Sequence, residues 1–414
     1  MTPETTTVIE AIYRDDWARI LATLVRQTRN LDAAEDALQE AIARAVVSWP
    51  CDGVPQNPAG WVSTTAQRIA IDAGRRATSL QQKLPLLPLP DDESPHDIDL
   101  AFGDDRLRLI FTCCHPILTT DSRLALTLRL ICGLTTSDIA ALFLVPEPTM
   151  AARITRAKKK IAASKVPYEI PAPGQLESRL QDVLQVIYLV ATAGHTPAQG
   201  EFLHDASTMQ LALDLTRVLG ELIPQHPEVL GLRALVLFAE ARKETRLDDE
   251  GDALALEHMD RSLWDHDLIR QGIQLTESSL RLSKPDTVGP YALQAAIAAC
   301  HGEAASYEAT DWAQIAALYA VLDRRHPSAI CRLGFCVAVS MRDGPEAGLV
   351  MVDRSMLDDA LENYAMLPAA RADMYRRQGD WEKAVAHYRT AADLTGNLAL
   401  RRWFLTQAEQ TGER

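Results

Sequence analysis

Apolar residues recur every three or four positions along most of the chain, and these runs end at proline or glycine. That spacing places the apolar side chains on one face of a helix, whereas the strict alternation typical of strands is scarce. The sequence therefore predicts an all-α protein. A chain of 414 residues is long enough for two or three domains, each with its own apolar core.

Two proline-rich segments interrupt the helical pattern. Residues 83–105 interleave prolines with acidic residues, a composition that resists packing and favours an extended chain. Residues 167–174 form a second, shorter joint that is also rich in proline. We therefore predict helical domains at 1–82, 106–166 and 175–414.

The clearest motif is a predicted helix-turn-helix in residues 133–162. Thr135 and Asp138 have the Thr-x-x-Asp spacing of a capping-box variant, which opens a helix. Residues 143–146 break this helix, and Pro148 stands near the start of the next one, where its missing N–H is harmless. Two helices joined by a short break are thus expected.

The second helix of this motif has two distinct faces. Its apolar positions share one face, and they are Met150, Ile154, Ala157 and Ile161. About a quarter-turn away lies a mainly cationic face with Thr149, Arg153, Arg156 and Lys160. A helix that packs through one face and presents cations on another has the shape needed to enter a DNA major groove. The alternative is a solvated surface helix, but the capped first helix and the ordered basic face favour DNA binding.

The charge distribution agrees with a single basic module. The whole chain has a formal net charge of −14, yet residues 107–166 carry nine cations against three acidic residues. Residues 1–106 and the C-terminal remainder are both acidic. An acidic protein with one basic module directs that module toward phosphate.

Upstream of the first joint, another helix begins at a recognisable signal. Asp32 and Glu35 have the spacing of an N-cap residue and its partner three positions later. The helix that follows has an apolar face, and a polar set lies largely outside that face, namely Asp36, Gln39 and Glu40.

Asn57 and Pro58 begin a further predicted helix, with asparagine as the cap and proline as the first residue. Trp61 follows in its first turn and, taken alone, is more typical of a core residue than of a platform for a nucleic-acid base. Arg75 and Arg76 stand near the end of this helix, where the macrodipole favours cations whatever their function.

Beyond the second joint the chain is rich in alanine and leucine and weakly repetitive. The stretches that begin at Asp311 and Asp380 are similar, and half of their separation is close to the roughly 34-residue tetratricopeptide period. Helix pairs of this kind stack into a solenoid, which offers a surface to a protein or peptide partner. A generic helical bundle is the alternative for residues 290–405, and no repeat is legible in 175–288.

Cysteine usage and hydropathy indicate a reduced, cytoplasmic setting. The seven cysteines include no C-x-x-C pair, which favours free thiols over a disulfide framework. Cys113, Cys114 and His115 are consecutive, so their side chains diverge and suit helix packing better than a shared metal. No apolar run reaches the length of a membrane span, and no signal-peptide h-region is visible. We expect no membrane association, no metal and no cofactor.

Three motifs, in their order along the chain, resemble those of an extracytoplasmic-function sigma factor of bacterial RNA polymerase. DAAEDALQE at 32–40 resembles the helix of sigma domain 2 that docks on the polymerase clamp. WVSTTAQRIAIDAGRR at 61–76 resembles the helix that engages and melts the −10 promoter element. Residues 128–161 resemble sigma domain 4, which recognises the −35 element. The resemblance covers about residues 8–165.

The C-terminal part widens this resemblance. FTCCHP at 111–116, YLVATAGHT at 188–196 and the stretch 371–397 are similar to a subgroup of these sigma factors that has a long tetratricopeptide-like extension. This subgroup looks to be controlled through its own extension, and relatives are often encoded beside small YCII-like proteins. Such an extension would contact polymerase, bind a regulator or fold back over the sigma domains.

The resemblance implies roles for particular residues. It implies a polymerase-binding surface at Asp36, Gln39 and Glu40. It implies contacts with the −10 element at Asn57, Trp61, Gln67, Arg68, Arg75 and Arg76. It implies contacts with the −35 element at Thr149, Ala152, Arg153, Arg156, Lys158, Lys159 and Lys160. The acidic linker would thread the basic interior of the polymerase or serve as a solvated tether.

The sequence thus predicts an alternative sigma factor that binds core RNA polymerase and promoter DNA and catalyses no covalent chemistry. The rival prediction is a stand-alone helix-turn-helix regulator with a helical sensor domain, which leaves 32–40 and 61–76 unexplained. An enzyme is a more distant alternative, because the sequence has no H-E-x-x-H, P-loop, G-x-S-x-G or G-x-G-x-x-G motif. His195, His204 and His301 are expected to be core or surface residues.

Overall fold

A computed structural model describes residues 3–81, 99–131, 133–143, 145–164, 166, 168–171, 173–248, 251–284 and 286–413. The predicted all-α fold is confirmed, because these residues form helices joined by turns, with two strands of two residues each. The helices up to residue 195 are α1 (Pro3–Ala11), a π-helical turn (Ile12–Asp16), α2 (Trp17–Thr28), α3 (Leu31–Asp52), α4 (Pro58–Gln81), α5 (Asp99–Cys113), α6 (Thr120–Leu130), α7 (Thr136–Leu142), α8 (Glu147–Ala163) and α9 (Pro173–His195).

The remaining α-helices are α10 (Ala206–Leu222), α11 (Pro227–Ala241), α12 (His266–Leu282), α13 (Pro290–Glu303), α14 (Trp312–Arg325), α15 (Ala329–Asp343), α16 (Pro345–Arg354), α17 (Met366–Gln378), α18 (Trp381–Leu394) and α19 (Leu398–Gly412). Three short 3-10 turns, Lys243–Thr245, Leu256–His258 and Arg261–Leu263, connect α11 to α12. The strands are β1 (Gln199–Gly200) and β2 (Gly396–Asn397).

The chain divides into two compact units, Met1–Val190 and Ala191–Arg414. The first unit contains both predicted N-terminal domains. It also contains most of α9, which the sequence analysis assigned to the C-terminal extension from residue 175 onward.

The first unit is built around α2, which packs against α3, α4 and α5. Leu21 and Leu24 of α2 are fully buried, and so are Leu107 and Phe111 of α5. Burying each such side chain contributes about 1.5–3 kcal/mol. Because α5 belongs to the second predicted domain, the two predicted domains share one apolar core.

Helix α5 begins at Asp99, inside the segment 83–105 that the sequence predicts as an extended linker. Its first half carries Asp105, which is 2% exposed and pairs with Arg108 at 2.9 Å and with Arg26 of α2 at 3.4 Å. A buried carboxylate needs such partners, because an unpaired buried charge is costly. The end of the predicted linker is therefore helical and fastened to α2, while its residues up to 98 lie outside the described part of the chain.

The second predicted joint is anchored as well. The hydroxyl of Tyr168, a buried residue, lies 3.0 Å from the carbonyl oxygen of Ala22 and 2.9 Å from that of Asp105. One hydroxyl hydrogen serves one of these acceptors at a time. Farther along, Asp182 of α9 forms an ion pair with Arg123 of α6. Tyr168 and α9 thus fasten the chain after residue 166 to the first unit.

In the second unit each helix packs on the next, and helix pairs recur. Three pairs begin at Trp312, Pro345 and Trp381. The spacing between successive starts is close to the 34-residue interval that the sequence indicated. Asp311 and Asp380 cap the first helices of two of these pairs, each accepting a backbone N–H three residues later, at 2.8 and 3.3 Å. The two similar sequence stretches therefore occupy equivalent structural positions.

The two ends of this helical array meet. Strand β1 pairs with β2 in parallel, with Gln199 opposite Gly396. The side-chain amide of Asn397, which is 1% exposed, donates to the carbonyl oxygens of Pro197 and Phe202, both at 2.9 Å. The second unit thus closes on itself, unlike an open solenoid with two free ends.

Two buried arginines tie helix ends inside the second unit. Arg246 donates to the carbonyl oxygen of His195, and Arg261 donates to those of His301 and Ala304 at 2.9 and 2.8 Å. Carbonyls at helix C-termini lack intrahelical partners and carry partial negative charge, which suits a guanidinium. Burial and the nearby arginine charges lower the pKa of His195, and they lower the pKa of His301 to about 4. Both imidazoles are therefore neutral structural groups at pH 7.

Candidate nucleic-acid interface

The helix-turn-helix lies where the sequence predicts it. The Asp138 carboxylate accepts from the backbone N–H and the hydroxyl of Thr135 at 3.1 and 2.6 Å. The Thr135 oxygen in turn accepts from the backbone N–H of Asp138 at 3.1 Å, which completes the capping box. Helix α7 ends at Leu142 and α8 begins at Glu147, so the predicted break at 143–146 is confirmed.

The buried face of α8 is also the predicted one. Its members are at most 6% exposed, and they are Met150, Ile154, Ala157 and Ile161. They lie on the side of α8 that packs against α6 and α7. This apolar contact fixes the rotation of α8 about its own axis and so decides which side chains point outward.

The opposite side of α8 is an exposed stripe of small and cationic residues, namely Thr149, Ala152, Thr155, Arg156, Lys159 and Lys160. Spacings of three and four residues keep them on one side of the helix. The Nε–H of Arg156 donates to the carbonyl oxygen of Ala152 at 3.2 Å, which lays this side chain along the stripe. Thr155 is not among the residues expected from the sequence, although its spacing from Ala152 and Lys159 places it on the same side of the helix.

Arg153 stands at the rim of this stripe. Its guanidinium lies 3.4 Å from the carboxylate of Asp121 and 5.6 Å from the ring centre of Phe143. The side chain is 21% exposed, so part of it remains accessible. An ion pair and a cation–π contact thus orient Arg153.

Lys158 does not lie on the exposed stripe. The expectation that it belongs with Lys159 and Lys160 is therefore wrong. Residues two positions apart on an α-helix are rotated by about 200° about its axis. Lys158 therefore points away from Arg156 and toward the buried side. Its ammonium group donates to the carboxylate of Glu35 in α3 and lies 3.5 Å from that of Asp32. In this conformation Lys158 is a contact between helices rather than part of the exposed stripe.

Glu35 is the centre of a cluster that the sequence did not reveal. It is 3% exposed, and besides Lys158 it faces Arg129 of α6 at 3.6 Å and accepts from the side-chain amide of Gln39 at 3.2 Å. We call Glu35, Asp32, Gln39, Arg129 and Lys158 the Glu35 cluster.

The predicted capping role of Asp32 and Glu35 is wrong. Asn30 is the N-cap of α3, and its side chain accepts from the backbone N–H of Ala33 at 3.1 Å. Glu35 shares its helix face with the buried residues Leu31 and Leu38, and this position was the available signal that it is buried.

The predicted polymerase-binding residues all lie on the exposed side of α3. Asp36, Gln39 and Glu40 are exposed, and Glu40 pairs with Arg44 one turn later at 2.9 Å. Such an exposed pair contributes little to stability, so its carboxylate remains available to a competing cation. The α3 surface is therefore an accessible acidic and amide-bearing face.

The predicted −10 residues lie on α4 and at its start. The side-chain oxygen of Asn57 accepts from the backbone N–H of Gly60 at 2.9 Å, so its capping role is confirmed. Trp61 packs edge-on against Trp49, with ring centres 5.4 Å apart, and remains partly exposed. The ring is thus neither fully buried nor free. This position is compatible with a core residue and with a platform for a nucleic-acid base.

Farther along α4, Gln67 is partly exposed and Arg68 is exposed. Arg75 and Arg76 fall within the same helix, but their side chains lie outside the described part of the structure. The described −10 candidates thus follow one helix from its cap to its middle.

Two consecutive thiols lie at the C-terminal end of α5. Cys113 and Cys114 are both fully buried, and burial raises the pKa of the Cys114 thiol to about 12. Within the described residues, no group of three side chains is arranged to hold a metal ion. In that same part of the chain, no helix is long and apolar enough to cross a membrane.

Comparison with protein families agrees with this geometry. Residues 12–79 match the model of sigma-70 region 2, and residues 108–161 match that of sigma-70 region 4. Residues 179–280 match a family described as of unknown function, DUF6596. The chain belongs to the sigma-70 family of transcription initiation factors. It is a sigma factor for promoter-directed transcription. The two region matches therefore do not favour the alternative, a stand-alone helix-turn-helix regulator.

The chain is also 38% identical over 366 residues to the uncharacterized protein R00370 of Rhizobium meliloti (strain 1021). The match covers 87% of this chain and 85% of that protein, so the two belong to one family along most of their length. No solved structure matches the chain.

Proposed function

We propose that this protein is an alternative sigma factor of the extracytoplasmic-function type. It binds core RNA polymerase through the exposed face of α3 and directs initiation at promoters that α4 and α8 recognise. The observation that carries the proposal is the exposed stripe of α8, which presents three cations while its apolar face is buried against α6 and α7. This arrangement suits a helix that enters the major groove.

Within this proposal the −35 element is contacted by the exposed stripe and Arg153. Arg153 and Arg156 approach base edges, because a guanidinium can donate two hydrogen bonds to guanine. Lys159 and Lys160 neutralise phosphates, which position the helix without reading sequence. Lys158 is left out of this set because it is engaged with Glu35.

At the −10 element, the cap of α4 and the side chains that follow it capture the opened strand. Trp61 supplies a stacking surface, and Gln67 and Arg68 line the path along α4. Arg75 and Arg76 are assigned to phosphate. The acidic and amide groups of α3, Asp36, Gln39 and Glu40, complement a basic groove on polymerase and set the register of docking.

For the second unit we propose a tetratricopeptide-like regulatory domain that binds a protein or peptide partner. Its support is the recurrence of helix pairs and the equivalent capping roles of Asp311 and Asp380. The setting is the cytoplasm, and the protein needs neither a cofactor nor a metal for these roles.

Run-off transcription with purified core polymerase tests the proposal. Promoters are first selected by sequencing the DNA that the complex opens. The full chain is expected to direct initiation on these templates, because only a sigma factor enables core polymerase to start there. A chain that binds DNA but does not co-purify with core polymerase would instead be a stand-alone regulator.

A further inference from the structure

We propose that the first unit contains a binding site for a small organic carboxylate with an apolar body. The site is a cavity at the C-terminal end of α2. It is lined by residues of α2, the start of α3, α5, α8 and the segment 166–168, with Arg29 and Asn30 between α2 and α3. Binding at this site is independent of the proposed promoter recognition and gives the first unit a chemical input of its own.

The cavity has the size of a small ligand. Its volume is about 380 Å³, which lies at the lower end of the roughly 300–1,000 Å³ that is typical of ligand pockets. Since one water molecule takes roughly 30 Å³ in the liquid, the cavity has room for about a dozen groups of that size. An occupant therefore has about a dozen non-hydrogen atoms.

The inner wall of the cavity is apolar. Val25, Leu31 and Ile161 line it and are at most 7% exposed. Two hydroxyl groups also lie there, those of Tyr168 and Thr112, and both are hydrogen-bonded to backbone carbonyl oxygens of the protein. None of these five described residues leaves a buried polar atom without a partner. The part of a ligand that enters this end needs no hydrogen-bonding groups, and burial of a hydrocarbon body drives its binding.

The solvent-facing rim carries one positive charge that nothing offsets. The exposed lining residues include Arg29, Asn30 and Asp32. Asp32 belongs to the Glu35 cluster together with Lys158, and the two carboxylates and two cations of that cluster balance one another. Arg29 lies outside the cluster. Within the described part of the chain, its guanidinium has neither a hydrogen bond nor an ion pair. A guanidinium binds a carboxylate through two parallel hydrogen bonds, so the rim selects an anionic head group.

The backbone at Arg29 is a second indication that its side chain has a use. Arg29 is the C-cap of α2 and has a φ of 55°, in the left-handed region. Helices often end in this conformation, and glycine is the usual residue because it has no Cβ to clash with the backbone. The arginine therefore strains the turn that a glycine would make without strain, while it places a guanidinium beside the cavity.

Calorimetric titration of the purified full chain tests the site. The probes are decanoate and 4-phenylbutyrate, which are linear and aromatic carboxylates of about a dozen non-hydrogen atoms each. At least one of them should bind at one site per chain. Decylamine, which is a cation on the same linear body as decanoate, should bind at least tenfold more weakly than decanoate. Absence of binding by both carboxylates at millimolar concentration overturns the proposal, and so does equal binding of decanoate and decylamine.

Arg29→Gly is the matched variant, because glycine favours the backbone conformation found here. The Tm of this variant should stay the same or rise, whereas its affinity for the carboxylate should fall at least tenfold. Arg29→Lys keeps the charge but loses the two-pronged contact, so its affinity should fall by a smaller factor. Arg389→Gln, at an exposed arginine of α18, should bind as the wild type does. Unchanged affinity in the Arg29→Gly variant would show that the cavity rim does not hold the ligand.

Photolabelling locates the bound molecule. Decanoate with a diazirine at its apolar end should label peptides that contain Val25, Ile161 or Val166 after irradiation, and excess unmodified decanoate should suppress this label. Label confined to the second unit would refute the site. A chain that binds decanoate but does not co-purify with core polymerase would keep the site and lose the sigma function, so the two failures are distinguishable.

Discussion

Asp121 of α6 and Arg153 of α8 lie 3.4 Å apart across the helix-turn-helix. The carboxylate of Asp121 is largely exposed, so the pair adds little to stability. Its consequence is geometric, because it holds the guanidinium at the rim of the exposed stripe next to Phe143. A positioned arginine loses less side-chain freedom on binding DNA than a mobile one.

We therefore expect Arg153→Gln to weaken binding to the cognate promoter by about 1–3 kcal/mol and to relax preference at one base position of the −35 element. Affinities of the polymerase complex for promoter variants, measured at one fixed salt concentration, check this. Arg389→Gln changes an exposed arginine of α18 and serves as the control. Uniform weakening across all base variants would show that Arg153 contacts phosphate only.

Lys159 and Lys160 should contribute affinity without sequence preference. Each is exposed on the stripe, and a compact ammonium group in contact with DNA would neutralise one phosphate. Replacing either by glutamine should reduce the slope of log affinity against log salt by about one. An unchanged slope, measured between low and physiological salt, would place both lysines outside the interface.

Replacement of Trp61 distinguishes a role in capturing the opened DNA strand from a role in core packing. Its ring contacts Trp49 yet stays partly exposed, so Trp61→Leu keeps an apolar side chain while it removes the stacking surface. We expect open-complex formation to fall by about 1–3 kcal/mol. Affinity of the chain for a duplex that carries only the −35 element should stay the same. A large drop in Tm without a specific defect in promoter opening would instead make Trp61 a core residue.

Histidine burial predicts acid sensitivity of the second unit. The pKa of His301 is about 4 in the folded chain, because burial and the charges of Arg242 and Arg261 oppose protonation. An unfolded histidine titrates near 6.5, so between these values the unfolded state binds more protons. Stability is thus lost as pH falls from about 7 toward 4, and this group alone accounts for about 2 kcal/mol at pH 5.

Calorimetry of the full chain at pH 7.5 and pH 5 checks the expectation. His301→Gln should reduce the acid-induced drop in Tm, whereas His266→Gln, at an exposed position, should leave it unchanged. Equal drops in the wild type and the His301 variant would mean that other groups cause the acid sensitivity.

A truncation tests whether the second unit restrains the sigma regions. Deletion from residue 175 would remove α9, whose Asp182 is paired with Arg123, and would damage the first unit. A chain that ends at Thr196 keeps α9. If the extension folds back as an inhibitor, this shortened chain should show increased promoter-dependent transcription. Unchanged or lower activity would indicate that the second unit assists initiation or recruits another protein.

Local chemistry determined much of what the sequence predicted. The capping box of Thr135 and Asp138, the cap at Asn57 and the buried face of α8 depend on side chains within a few positions of one another. Helical periodicity carries that information, because neighbours three and four residues apart must share a face. The all-α fold and the exposed cations of α8 followed for the same reason.

Tertiary structure decided the features that depend on partners distant in the chain. Glu35 has the spacing of a capping residue, yet Lys158 and Arg129 approach it from another sigma region and make it a buried acid. Asn397, far from Pro197 in sequence, closes the second unit. Sequence spacing sets which residues share a helix face, but which helix covers that face depends on how all apolar surfaces are buried together. For that reason the sequence determined the helix-turn-helix and its buried face, and only the folded chain showed that α8 is held against α3.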